Sequence, residues 1–343
     1  MNIRLKIAAV AVALTGWAGA ALAEAEVVLK MHYFLPANSF VPAQILTPWA
    51  EGIEADSGGR IRVEPFPSMQ LGGKPADLVD QVQDGVVDVI WTLPGYTPGR
   101  FPRSEVMELP FMVADAGAAS RALWQLAESD MMATDFRDLK LLGLWVHGPG
   151  VIHAGRPVNR LEDMAGLKLR APSRVAGRLL EQLGAVPVGM PAPAVAEAVS
   201  KRVIDGALLP WEVTSSVRIA ELVGHHTEFP GEGIYVSTLM LAMNKGVYEG
   251  LPEDLRAVID ARSGEAFSAH AGAIQQGADA PMRAEAAARG NSIVTLPADE
   301  AARWHAAAAP VIDGWVADSA AQGFDGADLL ARARAAIAAA TSP

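Results

Sequence analysis

Cysteine is absent from all 343 residues. That excludes thiolate nucleophiles, Cys-ligated zinc, iron–sulfur clusters and disulfide frameworks. Positive charge is also scarce, with 28 Lys and Arg against 39 Asp and Glu and a formal net charge of −11. Nucleic-acid binding wants a basic face, so it is excluded as well. Beyond the first two dozen residues no run is long and apolar enough to cross a bilayer, which takes about 20 residues. The chain is nevertheless long enough for two domains with proper cores, so it needs neither metal nor disulfide staples.

The amino terminus has the three parts of an export signal. Arg4 and Lys6 form a positive start, Ile7 to Ala21 is an alanine-rich apolar run, and Ala21-Leu22-Ala23 offers a small-x-small cleavage site before Glu24. Residues 1–23 are therefore expected to be a cleaved signal peptide. Without cysteine there is no acceptor for a lipid anchor, and the expected mature chain is soluble and periplasmic. It would carry 26 basic and 39 acidic side chains, a net charge of −13.

The remainder alternates strands and helices. Strands are expected at Glu26 to Met31, Ile61 to Phe66, Val86 to Leu93, Leu141 to Val146, Leu167 to Ala171 and Val186 to Val188. Helices are expected at Val41 to Asp56, Asp77 to Gln83, Ser173 to Leu183 and Ala194 to Ser200. This rhythm predicts an α/β protein with mainly parallel sheets. One unit returns after 117 residues. Val86-Val87-Asp88-Val89 follows a helix containing Leu78 and Val82, and Val203-Ile204-Asp205-Gly206 follows one containing Val195 and Val199. The echo is either coincidence or the mark of two similar lobes presenting strand ends to one cleft, where ligands of open α/β sheets sit. From Asp254 the chain turns alanine-rich and helical, and these segments are expected to wrap the lobes.

No nucleophile elbow, zinc helix or phosphate loop occurs, so catalysis, a metal and a cofactor are all unsupported. His225-His226 is expected to be solvated or capping, because adjacent side chains rarely point at one ion. His32 and His153 are expected to satisfy local hydrogen bonds. The sharpest signal is Gly166-Leu167-Lys168-Leu169-Arg170-Ala171-Pro172. Strand alternation puts Leu167 and Leu169 on one face and Lys168 and Arg170 on the other. Arg170 then falls near the carboxyl end, where its guanidinium could grip a carboxylate with two hydrogen bonds or form a plain surface ion pair.

Several stretches, in order, resemble the solute-binding proteins of tripartite ATP-independent periplasmic (TRAP) transporters of the DctP type. They are Asp56-Ser57-Gly58-Gly59-Arg60-Ile61, Pro67-Ser68-Met69-Gln70-Leu71-Gly72, Glu108-Leu109-Pro110-Phe111, Asp163 to Arg170, Val203-Ile204-Asp205-Gly206 and Met243-Asn244-Lys245. The resemblance implies a two-lobed periplasmic solute-binding fold, each lobe a central sheet flanked by helices and joined by a hinge. The first lobe would hold 24–147 and about 236–276, the second 148–235 and about 277–343. The lobes would close over an organic acid, with Arg170 as its carboxylate-binding arginine, and a monomer would deliver it to a membrane permease. Members that bind sugar acids commonly carry a further arginine where this chain has Gly150, and an asparagine where it has Leu209. Phe34, Leu93 and Tyr96 match lining positions, and Trp91 and Trp211 stand nearby as either ligand walls or core. These departures point to an apolar or aromatic monocarboxylate, with a dicarboxylate or hydroxy acid left open, the alternative function being an exported enzyme acting on a small organic acid.

Overall fold

The computed structural model describes residues 25–341, so the expected signal peptide lies outside the described residues. Eleven strands are described: β1 (Val27–Tyr33), β2 (Ile61–Phe66), β3 (Val89–Thr92), β4 (Leu139–Val146), β5 (Val151–Ala154), β6 (Lys168–Ala171), β7 (Val186–Gly189), β8 (Gly206–Leu209), β9 (His225–Glu228), β10 (Thr238–Asn244) and β11 (Ser292–Thr295). They form two sheets, ordered β2-β1-β3-β10-β4 and β11-β9-β5-β8-β6-β7. In each sheet three strands are parallel, β2-β1-β3 in one and β7-β6-β8 in the other, and an antiparallel strand follows on the β3 or β8 side. The protein is a two-lobed α/β fold with helices on both sheets.

The 117-residue echo is structural. Val89–Thr92 and Gly206–Leu209 are both strands, and the preceding helices, Leu78–Gln83 and Val195–Ser200, keep the same offset. Asp88 accepts the Lys30 amide at 2.8 Å, and Asp205 accepts the Lys168 amide at 2.9 Å. In both lobes the aspartate thus caps the edge of the central parallel strand just where its neighbour begins. The third strand starts at Val89 rather than Val86, because Val86 is exposed in the turn that leaves the helix.

Helix Arg174–Gln182 begins where its cap predicts, with Ser173 Oγ accepting the Ala176 amide at 3.4 Å. Gly184 ends it at φ +88°, a left-handed conformation that glycine takes without a Cβ penalty. Four strands are not legible from alternation: β5, β9, β10 and β11. β10 is apolar on both faces because it is interior to its sheet, flanked by β3 and β4. The C-terminal region also adds an edge strand, since β11 pairs with β9. Of the stretch expected wholly in the second lobe, helix Ala298–Ser319 packs on the 174–182 helix, but helix Gly326–Thr341 packs on helix Ala116–Leu126, on the first sheet's side. That last pair of helices straddles both lobes.

Besides the passage from β10 to β11, the chain passes between the sheets at β4 to β5 and again at β9 to β10. The latter two crossings are tied together: the Gly150 amide donates to Tyr235 O at 3.0 Å, and the Ile234 amide donates to Gly150 O at 3.3 Å. A Cβ on Gly150 would sit 2.3 Å from the Tyr235 ring, so the close approach requires glycine.

Candidate functional site

Between the sheets lies a cavity whose empty space, open solvent included, is about 400 Å³. Phe34, Trp91, Leu93 and Tyr96 line it from the first lobe, Arg170 and Leu209 from the second. Phe34 follows directly on β1, Trp91 lies on β3, and Leu93 and Tyr96 on the turn after it. The Phe34 and Trp91 rings stack at 4.6 Å and 16°, and Tyr96 meets Phe34 edge-on at 5.5 Å. This gives one wall a flat aromatic surface suited to offset or edge contacts with another ring.

Arg170 is the charged centre and is 2% exposed. Its Nε donates to Met190 O at 2.9 Å and one terminal nitrogen donates to Leu208 O at 3.0 Å. The other terminal nitrogen lies 3.5 Å from the Tyr96 hydroxyl. These partners are neutral oxygens, and among the described residues no carboxylate pairs with the guanidinium. A buried cation without a counter-ion is costly. With five N–H donors and three such contacts, the fork retains capacity for an incoming anion.

Further polar lining comes from the crossings. His147 Nδ1 donates to Gly148 O at 2.6 Å and Nε2 accepts the Ser237 amide at 2.9 Å, which fixes one neutral tautomer. Burial holds its pKa down at about 4, and the neighbouring Arg170 charge acts in the same sense. Burial drives the Tyr235 hydroxyl well above the usual phenol range, though the nearby Arg170 charge acts the other way. Glu212 and Gln275 also line it. Burial raises the Glu212 carboxyl to about 8 and Asp279, beside its backbone amide, to about 7. Among the described residues, six buried side-chain polar atoms lack a hydrogen-bond partner. Three of them belong to this cavity: Trp91 Nε1, Tyr235 Oη and Glu212 Oε1. Buried polar groups are ordinarily paired, so this concentration marks a place where something else binds.

Two expected residues lie elsewhere. Gly150 does not line the cavity, because the Tyr235 ring occupies the volume a side chain there would need. Trp211 turns away into a separate cluster with Val151 and Ala286, meets His153 edge-on and His226 at a tilt, and donates its indole N–H to Glu228 at 2.8 Å. The His225-His226 pair is not solvated as a unit: His226 is buried. Asn291 donates to His226 Nε2 at 2.9 Å, His226 Nδ1 meets His153 Nδ1 at 2.7 Å, and His153 Nε2 donates to Leu209 O at 3.2 Å. Only one proton order satisfies that chain, with both rings neutral. No cluster of three metal-ligating side chains occurs among the described residues. His147, Glu212, Tyr235 and Gln275 escaped the sequence reading. The one available signal was a glutamate, Glu212, set between Trp211 and Val213 in an apolar stretch.

The lobes also meet around the cavity. Arg174 donates from two nitrogens to the two oxygens of Glu105, at 2.6 Å each, and the Trp315 indole donates to the same carboxylate at 3.1 Å. The Ala192 amide donates to the Tyr96 hydroxyl at 3.0 Å, and Gly95 packs against Ser173. Together these contacts describe a closed arrangement.

A cleft between two sheet lobes, sealed over a buried unpaired arginine, defines a ligand-capturing protein. The chain belongs to the DctP family, bacterial extracellular solute-binding protein family 7, which it matches over residues 32–318. It is 48% identical to a TRAP solute-binding protein from Rhodoferax ferrireducens T118 solved with copurified benzoate, at a TM-score of 0.90 and covering 92% of this chain and 98% of that one. A marine-metagenome TRAP solute-binding protein specific for aromatic acids, solved with metahydroxyphenylacetate, is 43% identical at a TM-score of 0.90, covering 92% and 100%. A TRAP periplasmic solute-binding protein from Bordetella bronchiseptica, solved with mandelate, is 30% identical at 0.85, covering 91% and 99%. These relatives are receptors for small organic acids that work with a TRAP permease. No helix among the described residues is long and apolar enough to cross a membrane.

Proposed function

We propose that this chain captures an aromatic monocarboxylate in the periplasm and hands it to a TRAP membrane permease. It does so as a single chain, exported with removal of residues 1–23, and without chemical turnover. The observation that carries this reading is Arg170, buried with no carboxylate partner, beside the stacked Phe34 and Trp91 rings. The guanidinium supplies the charge-assisted hydrogen bonds for one carboxylate. The aromatic wall takes the apolar body, and Leu93 and Leu209 add apolar surface. The cavity has one cationic group, which favours a monoacid over a dicarboxylate. The benzoate, metahydroxyphenylacetate and mandelate in the related structures are of this kind.

A thermal-shift screen of the mature chain against aromatic acids, C4-dicarboxylates and sugar acids tests the reading, because a ligand that binds only the folded state stabilises it by mass action. Aromatic acids should give the largest shifts, with the recovered ligand chemically unchanged. Larger shifts with dicarboxylates or sugar acids would overturn the substrate class. Product formation from the best hit would establish the exported-enzyme alternative.

A further inference from the structure

Glu212 places a buried carboxyl in the cavity wall whose presence neither Arg170 nor the aromatic wall explains. Its surroundings fix its hydrogen-bonding sense atom by atom. The Trp145 indole can only donate, and it donates to Gln275 Oε1 at 2.8 Å. That contact orients the Gln275 amide, leaving its nitrogen to donate to Glu212 Oε2 at 2.9 Å. Oε2 is therefore an acceptor. Oε1 has no partner, although the carboxyl lines the cavity and is 2% exposed.

Burial, helped by nearby Asp279, keeps this acid protonated at neutral pH. With Oε2 accepting, the proton resides on Oε1. Arg170 is held by Met190 O, Leu208 O and the Tyr96 hydroxyl, whereas Glu212 is held by Gln275 and, through its backbone amide, by Asp279, so the two groups have separate partners in the cavity. A carboxylate held by Arg170 leaves the rest of the ligand to meet Glu212. An unsubstituted ring there would strand a buried donor, which costs more than an ordinary hydrogen bond returns.

We propose that Glu212 sets specificity within this site by donating its Oε1–H to an oxygen substituent on the ligand's ring, so that the chain favours a hydroxylated aromatic acid over the unsubstituted one. The inference rests on the aromatic-acid reading above. Discrimination of this kind is strong where a buried polar group would otherwise go unpaired.

Calorimetric titration with benzoate and the three monohydroxybenzoates tests it in wild type, Glu212→Leu and Glu212→Gln. At least one hydroxybenzoate should bind wild type about tenfold or more tightly than benzoate. Glu212→Leu should abolish that preference, bringing the hydroxybenzoate and benzoate affinities together. Glu212→Gln should keep the preference, because its amide nitrogen can donate from the place of Oε1. Since Glu212→Gln is nearly isosteric, it also serves an infrared measurement. The protonated-carboxyl C=O stretch of wild type should shift on binding the preferred hydroxybenzoate, and that band should be missing in the variant. Benzoate binding with no hydroxyl preference, or a preference that survives in Glu212→Leu, would overturn this inference alone. Failure of all four acids to bind wild type would overturn the aromatic-acid reading and this inference with it.

Discussion

Arg170 and Tyr96 meet across the two lobes: the guanidinium of one lies 3.5 Å from the hydroxyl of the other, and that hydroxyl also accepts the Ala192 amide at 3.0 Å. Tyr96 belongs to the turn after β3 in the first lobe, and Arg170 and Ala192 belong to the second. The residue proposed to hold the ligand's charge is therefore also a point of contact between the lobes. On the proposed reading, ligand capture and lobe closure draw on the same side chains.

Closure should depend on the second cross-lobe contact, the fork of Arg174 on Glu105. Removing it with Arg174→Ala leaves the Glu105 carboxylate, 6% exposed, without its cation. The closed state should lose about 1–2 kcal/mol, which weakens ligand binding by roughly tenfold. Small-angle scattering of the ligand-saturated variant should show a larger fraction of open molecules than wild type. Equal affinity and equal closure would mean that the pair does not contribute to closing.

The His153–His226 pair should make the fold acid-sensitive. Burial lowers both values, His226 to about 4 from an ordinary 6.5. Between those limits the unfolded chain binds protons that the folded chain does not, so this contribution falls as pH drops from about 6.5 toward 4. Protonating either ring also breaks the single proton order of the chain from Asn291 to Leu209. A His226→Gln variant should lose stability at pH 7 and show a shallower decline between pH 6.5 and 4 in denaturant titrations. An unchanged decline would assign the acid sensitivity to other groups.

The two halves of the internal repeat predict matched effects. Asp88 and Asp205 each accept the amide of a lysine on the neighbouring strand, and each sits one residue before its own strand. Asp88→Ala and Asp205→Ala should each cost a similar amount in denaturant unfolding, about 0.5–1.5 kcal/mol, since both hydrogen bonds are exposed and water can replace the aspartate. A large effect in one lobe with none in the other would show that the correspondence is of shape only.

Much of this was legible in the residues. The offset between Asp88 and Asp205 survived because an aspartate at a strand entry does the same work in both lobes. Arg170 was legible because strand alternation and the following Pro172 set its face and its place near the strand end. Local pattern does not record which way a side chain turns after a strand ends. Trp211 follows Pro210 just past β8, as Leu93 and Pro94 follow β3, yet its indole is drawn to Glu228 and the buried histidines. Glu212, the next residue, takes the cavity instead. His147, Tyr235 and Gln275 come from the crossings and from helix Glu265–Gly277, so only the long-range fold assembles them. Gly150 carried a meaning too, but its reason is the Tyr235 ring 85 residues away in sequence.

The most direct measurement is calorimetric titration of the mature wild-type chain and its Arg170→Ala variant with benzoate. Wild type should bind one equivalent, and the variant, still folded because it loses an uncompensated buried charge, should bind at least about 30-fold more weakly, the ~2–5 kcal/mol typical of truncating one partner of a buried charge pair. A folded Arg170→Ala protein that binds benzoate as tightly as wild type would contradict the carboxylate-holding role on which the account stands.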